Sequence, residues 1–156
     1  MPTDVKYVPD GLSPLTPYLT VSNGAKAIEF YQKAFGAIEE MRLAAPGGKI
    51  GHAEMKIGTA RFMLSDEYPE MGVRSPESIG GSPVTLHLYV EDVDATFAQA
   101  VAAGAKAVRP VADQFYGDRA GKLVDPFGHS WFLATHKEDV APEEIKRRAE
   151  KMFGKE

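Results

Sequence analysis

The side chains of this sequence best suited to proton transfer or metal binding are its four histidines, His52, His87, His129 and His136, with the carboxylates and phenols near them. His52 and Glu54 lie two residues apart, as do His87 and Tyr89, so in an extended strand each pair projects from one face. If the two strands approach, His52, Glu54 and His87 make a His-His-carboxylate set that suits a divalent ion, or His87 and Glu54 do acid–base work on an enolisable substrate. The competing expectation is that each only hydrogen-bonds and orients a ligand, with no metal. Arg119, beside Asp118 in a Gly-flanked turn, offers a planar fork for a carboxylate or phosphate, or pairs locally to shape the loop. His129 follows a turn glycine and suits either a general base or a turn-closing hydrogen bond, whereas His136, next to Lys137, Glu138 and Asp139, is expected to be solvated.

The chain has no cysteine, which removes a catalytic thiol, a Cys-ligated zinc site and a disulfide framework. It also lacks the common glycine-rich phosphate loops and a serine nucleophile elbow. The net charge is -4 and the basic residues are dispersed except around Lys146, Arg147 and Arg148, so nucleic acid is not an expected partner. No window is long and apolar enough for a bilayer, and Met1-Pro2-Thr3-Asp4 opens no basic-then-apolar leader. No membrane partner is therefore expected, and the expected location is cytoplasmic. With 156 residues, 44% of them apolar and 26% charged, the chain can bury the core of one globular domain over 1–156.

The elements that must position these groups repeat. Thr16 to Val21 reads as a strand, followed by a helix with cap residues Ser22 and Asn23, the apolar stripe Ile28, Tyr31 and Phe35, and the stop Gly36. Strands follow at Ile38 to Ala44, Ile50 to Ile57 and Ala60 to Ser65, with turns at Pro46-Gly47-Gly48 and Gly58-Thr59. From Asp66 to Pro83, Pro and Gly recur without an apolar period, which predicts a connector. The pattern restarts with a strand at Val84 to Val90, a helix capped by Asp92 or Asp94 and stopped at Gly104, and strands near Ala107 to Ala112, Lys122 to Val124 and Ser130 to Thr135. A shift of 69 places Leu19 on Leu88, Val21 on Val90 and Ile28 on Phe97, as an internal duplication would. Repeat one thus covers about 15–65, the connector 66–83 and repeat two about 84–136. A last helix, about 142–153, carries the stripe Ile145, Ala149, Met152 and Phe153 and is expected to dock on its own domain.

Sorting strand residues by face separates two chemistries. Leu19, Val21, Ala53, Met55, Ile57, Leu86, Leu88 and Val90 form an aliphatic set that suits the helices. Tyr18, Thr20, His52, Glu54, Lys56, Arg61, Met63, Ser65, Thr85, His87 and Tyr89 fall on the other face. Large amphipathic rings there predict a pocket or interface rather than a merely wetted sheet. On the last strand Trp131 and Phe132 must point opposite ways, and motif alignment sends Phe132 to the polar and aromatic face.

Tyr18-Leu19-Thr20-Val21, Ala27-Ile28-Glu29-Phe30-Tyr31, Gly51-His52-Ala53-Glu54-Met55, Met63-Leu64-Ser65-Asp66-Glu67 and Tyr89-Val90-Glu91-Asp92-Val93-Asp94 resemble the vicinal oxygen chelate (glyoxalase, bleomycin resistance and dioxygenase) superfamily, and its PhnB-like branch in particular. Tyr116-Gly117-Asp118-Arg119 and Asp125-Pro126-Phe127-Gly128-His129 through Ala134-Thr135-His136-Lys137-Glu138-Asp139-Val140 resemble that branch's C-terminal signature. The resemblance runs from about Leu15 to Val140. It implies an α+β fold of two βαβββ repeats forming a curved mixed sheet with a central cleft, commonly as a homodimer. It also implies activities ranging from glyoxalase chemistry, ring cleavage, epimerisation and thiol transfer to plain drug sequestration.

Catalytic members of that superfamily share one divalent metal ion held by His, Gln or Glu on the first, fourth, fifth and eighth strands. By the flanking motifs those positions fall here on Thr16, on Met63 or its neighbour, on Thr85 and on Phe132, none a normal ligand, so this metal site is expected to be absent. The leading expectation is a metal-independent protein that binds a small planar or aromatic molecule through Tyr18, His52, Glu54, Met63, His87, Tyr89, Arg119 and Phe132. The alternatives are a metal-dependent lyase, isomerase or dioxygenase using the displaced His52, Glu54 and His87 set, and a dimeric interaction module with no small ligand.

Overall fold

The computed structural model describes residues 4–154, so the leader reading at Met1 to Thr3 lies outside the described residues. The chain divides at the Ser82–Pro83 junction into two compact units.

The first unit has the order β1 (Tyr18–Val21), α1 (Gly24–Phe35), β2 (Ile38–Ala45), β3 (Lys49–Ile57) and β4 (Ala60–Asp66). Its four-stranded sheet runs β1-β4-β3-β2, with β1 parallel to β4 and the other pairs antiparallel. α1 starts where the Asn23 side chain accepts from Lys26 N, satisfying one of the orphan first-turn donors, and stops at Gly36, whose φ of 66° is the left-handed conformation that favours glycine. Its buried face, with Ala27, Ile28, Tyr31 and Ala34, lies against the sheet, whose Leu19, Val21, Met55, Phe62 and Leu64 are buried as well, and the Tyr31 ring meets Phe62 edge-on. Buried Asp66 ties the ends of three elements together, accepting from Gly24 N at 3.0 Å and Ile50 N at 2.6 Å.

The second unit repeats the plan with β5 (Thr85–Tyr89), α3 (Val93–Ala103), β6 (Lys106–Asp113), β7 (Asp118–Val124) and β8 (Ser130–His136), and its sheet runs β5-β8-β7-β6. Again the first strand is parallel to the last, and the Asp92 side chain caps α3 by accepting from Ala95 N. The cross-strand pair Tyr18 and Met63 recurs as His87 and Phe132, 69 residues on for both partners, so the duplication seen in sequence is also one of register.

Two expectations need correction. The 66–83 segment is not featureless, and all of it up to Ser82 belongs to the first unit. It holds a 3-10 turn at Pro69–Met71 and a one-turn helix, α2 (Pro76–Ile79), capped by Ser75, whose backbone N–H and neighbouring Ser78 hydroxyl both donate to Glu67. β7 begins at Asp118 rather than Lys122, so Asp118 and Arg119 belong to a strand and not to a turn. The reversal is made by Gln114 to Gly117, where Gly117 N donates to Gln114 O. α4 (Pro142–Phe153) forms over the expected residues, within the second unit, and touches the rest of that unit near Phe115. Arg148 donates to Phe115 O and the Phe153 ring meets Phe115 edge-on at 6.0 Å, while Met152 and Phe153 remain exposed.

Candidate functional site

Each unit gathers one group of polar and aromatic side chains on the sheet face away from its helix. In the first unit, Tyr18 on β1 stands in register with Met63 on β4, and Met63 with Glu54 on β3. His52, two residues before Glu54, joins them in a hydrogen-bonded chain. Its Nε2 donates to Glu54 Oε2 at 3.0 Å, so in the neutral imidazole Nδ1 accepts from the Tyr18 hydroxyl at 2.8 Å. A phenol, an imidazole and a carboxylate in sequence are the components of a proton relay. Arg61, sorted to the same face, is held by Glu40, and buried Ser65 turns its hydroxyl to Asp66 O.

In the second unit four side chains stand in one cross-strand row. His87 on β5 pairs with Phe132 on β8, Phe132 with Lys122 on β7, and Lys122 with Arg109 on β6. Residues paired across neighbouring strands project to the same face. With Thr85 and Tyr116 these four line an open pocket of about 390 Å³. The rings of His87 and Phe132 lie 5.1 Å apart, tilted by 40°, and the Tyr89 ring, two residues along β5, lies 4.8 Å from His87. The Tyr116 phenol is pushed up by burial and then by the charge of Asp118, with Arg109 pulling the other way, so at neutral pH it stays a hydrogen-bond donor. Trp131, next to Phe132, points into the core and donates its indole N–H to Asp125 Oδ2 at 2.9 Å.

The remaining candidates serve structure. Arg119 is not free to meet a ligand: its guanidinium donates to Asp94 at 2.7 and 3.0 Å and to Asp113 at 3.1 Å, and these carboxylates raise its pKa. Asp118 is its sequence neighbour but not its partner. That buried carboxylate accepts from the Tyr89 hydroxyl at 2.7 Å and from His136 Nδ1 at 2.7 Å. Tyr89 therefore offers its ring edge and face, while its hydroxyl is engaged. The main chain of His129 closes the β7–β8 turn, with its N–H donating to Asp125 Oδ1 and its carbonyl accepting from Asp125 N.

His136 corrects the expectation of a solvated side chain. Its second nitrogen donates to Asp139 at 2.8 Å, so it bridges two carboxylates, which raise its pKa, Asp118 first. A raised pKa means that the bridge stabilises the fold fully below the ordinary histidine value of 6.5 and ceases to do so as pH rises through the folded value. The stability difference between the parent chain and His136→Gln, read from urea midpoints, is expected to be largest near pH 6 and to shrink as pH rises above it. A difference that grows with rising pH would contradict the bridge.

Of the eight expected ligand-contacting residues, Tyr18, His52, Glu54 and Met63 come together in the first unit, and His87, Phe132 and the ring of Tyr89 in the second. Sequence reasoning missed Arg109, Lys122 and Tyr116. The signal available for Lys122 was its alternation with Leu123 on a strand ending in a turn; Arg109 carried none, because β6 pairs irregularly around it. The metal positions implied by the resemblance do not fit a divalent ion. Thr16 precedes β1 and turns its hydroxyl to Ser13 O, while Met63, Thr85 and Phe132 supply a thioether, a hydroxyl and a phenyl ring. Within each unit, no group of three or more His, Asp or Glu among the described residues is arranged to hold a metal ion. Among the described residues, no helix is long and apolar enough to cross a membrane.

The chain is 48% identical over 134 residues to an uncharacterised protein of Mycobacterium tuberculosis, which covers 84% of this chain and 79% of that one. It is 32% identical over 124 residues to the Arabidopsis thaliana protein At5g48480, covering 75% and 74% of the two chains. The crystal structure of TioX from Micromonospora sp. ML1 matches 80% of this chain and 98% of its own with a TM-score of 0.63 at 28% identity. Residues 11–133 match the family model described as Glyoxalase/Bleomycin resistance protein/Dioxygenase superfamily. With that match extending over most of both βαβββ units, the chain belongs to the glyoxalase/bleomycin resistance protein/dioxygenase superfamily.

Proposed function

We propose that this protein binds a small planar or aromatic organic molecule in the pocket of the second unit, without a metal ion. The observation that carries the reading is the His87–Phe132 pair of rings set in a pocket of about 390 Å³, within the size range that small-ligand sites occupy. Rings held 5.1 Å apart and tilted present one face and one edge, the geometry against which a third ring packs. The metal-free part of the reading is supported by the side chains at Thr16, Met63, Thr85 and Phe132, which lack the charge that retains a divalent ion. Holding a molecule is then the function, as in the sequestering members that the resemblance suggests. Kinship with the PhnB-like branch, a single domain over the whole chain, homodimeric assembly and a cytoplasmic location belong to the same proposal; the first and third rest on the motifs, and the other two on length and composition.

A second reading is favoured by the Tyr18–His52–Glu54 chain, which has the parts of an acid–base site on the first unit's face. One experiment weighs both. Aromatic compounds selected by thermal shift are titrated into the parent chain and into Phe132→Ala, with the compound followed by NMR. Loss of the ring is expected to weaken binding roughly three- to tenfold, the size of one aromatic contact, with the compound unchanged. Equal affinity in the variant would overturn the stacking model, and conversion of the compound would replace binding by catalysis.

A further inference from the structure

The row of the second unit carries a charge direction that aromatic binding alone leaves unused. From β6 to β5 it reads Arg109, Lys122, Phe132, His87: two cations, then two rings. Neighbouring strands are about 4.8 Å apart, so the cationic side chains stand roughly 5–10 Å from the phenyl ring along the row. Among the described residues no ion pair or side-chain hydrogen bond engages Arg109 or Lys122, and the same holds for the other polar groups lining the pocket, Thr85, His87 and Tyr116. No carboxylate lines the pocket. Two like charges directly opposite on adjacent strands are unfavourable by themselves, and here they persist in a chain whose net charge is -4. Nor does the repeated architecture demand them. The corresponding row of the first unit is Met41, Glu54, Met63 and Tyr18, with a carboxylate where the second unit has Lys122.

We propose that the ligand of this pocket is an aromatic anion, an aryl carboxylate or a molecule bearing an equivalent acid group, with its ring on His87 and Phe132 and its acid between Lys122 and Arg109. The proposal rests on the aromatic reading above and adds the charge and orientation of the ligand. The guanidinium of Arg109 supplies a fork of parallel donors for a planar acid, and Lys122 a point charge one strand nearer the ring. The protonated phenol of Tyr116 adds a neutral donor at the pocket wall. An acid group placed there answers several unpaired donors at once and relieves the repulsion between the two cations. A ring with no acid answers none of them.

The test uses the full chain and a panel of one- and two-ring aryl carboxylates, each paired with its carboxamide, which keeps the shape and removes the charge. Titration calorimetry is expected to show at least one acid bound about tenfold or more tightly than its amide, as charge-assisted hydrogen bonds require. The preference should shrink on raising the salt and largely vanish in the Arg109→Gln/Lys122→Gln double variant, while Phe132→Ala weakens acid and amide alike. Equal affinity for acids and amides, lost in Phe132→Ala, would overturn the anion proposal and leave the aromatic reading standing. A preference for acids that survives the double variant would place the anion elsewhere and overturn the proposal. Acid binding unaffected by Phe132→Ala would overturn the aromatic reading instead, and no binding by any pair would overturn both.

Discussion

Replacing Asp125 with alanine is expected to destabilise the second unit by roughly 3–6 kcal/mol, because three donors lose a charged acceptor at once and buried unsatisfied donors each cost about 1–3 kcal/mol. Asp125 is 4% exposed. Its Oδ1 accepts from the backbone N–H of Phe127 at 2.9 Å and of His129 at 3.0 Å, and its Oδ2 accepts from the Trp131 indole. The first two bonds close the β7–β8 turn; the third fixes the ring beneath β8, the strand that carries Phe132 on its opposite face. Domains of this size have about 5–15 kcal/mol of stability in total, so the loss would take a large share of it. Urea unfolding measures the effect. Asp125→Asn keeps one acceptor oxygen and the shape, and its loss should be smaller. An alanine variant within about 1 kcal/mol of the parent would show that water replaces the carboxylate at little cost.

The second large effect is expected at Gly117. Its φ is +104°, where a side chain is strained, and an added Cβ would overlap the Glu138 carbonyl oxygen and press on Val140 Cγ2. The Gly117 carbonyl also accepts from Lys137 N and Glu138 N, so the chain leaving β8 lies directly against this residue. Gly117→Ala must therefore both adopt a rare backbone conformation and displace the segment after His136. The sum is roughly 2–5 kcal/mol from strain and overlap. Because Tyr116 precedes it and lines the pocket, ligand affinity should fall as well, where Asp125→Asn would leave Tyr116 in place. A Gly117→Ala chain with parent stability and parent affinity would mean that the 137–140 segment yields freely.

Features set by neighbours in sequence were legible from the sequence, and those set by pairing across strands were not. Asn23, Gly36, Asp92 and Gly104 announce helix ends because a cap or a left-handed stop involves only residues within one turn. Alternation likewise separated Trp131 from Phe132. β7 was foreshortened because Asp118, Arg119, Ala120 and Gly121 have little β-propensity. They are strand because β6 and β8 pair with them on both sides. His136 looked solvated beside Lys137 and Glu138, yet its first partner, Asp118, is distant in sequence and adjacent across the β7–β8 pair. Arg109 is the clearest case. Its place at the end of the pocket row depends on register shifts on both sides of it in β6, which no spacing rule anticipates.

If the second unit's row is a ligand site, a map of backbone and side-chain NMR shifts on adding an aryl carboxylate that binds will show it. The largest changes are predicted at Thr85, His87, Tyr116, Lys122 and Phe132, with Arg109 side-chain signals moving for the acid and not for its amide. Saturable changes concentrated away from that row, with these residues unmoved, would place the ligand elsewhere and rule the row out as its site.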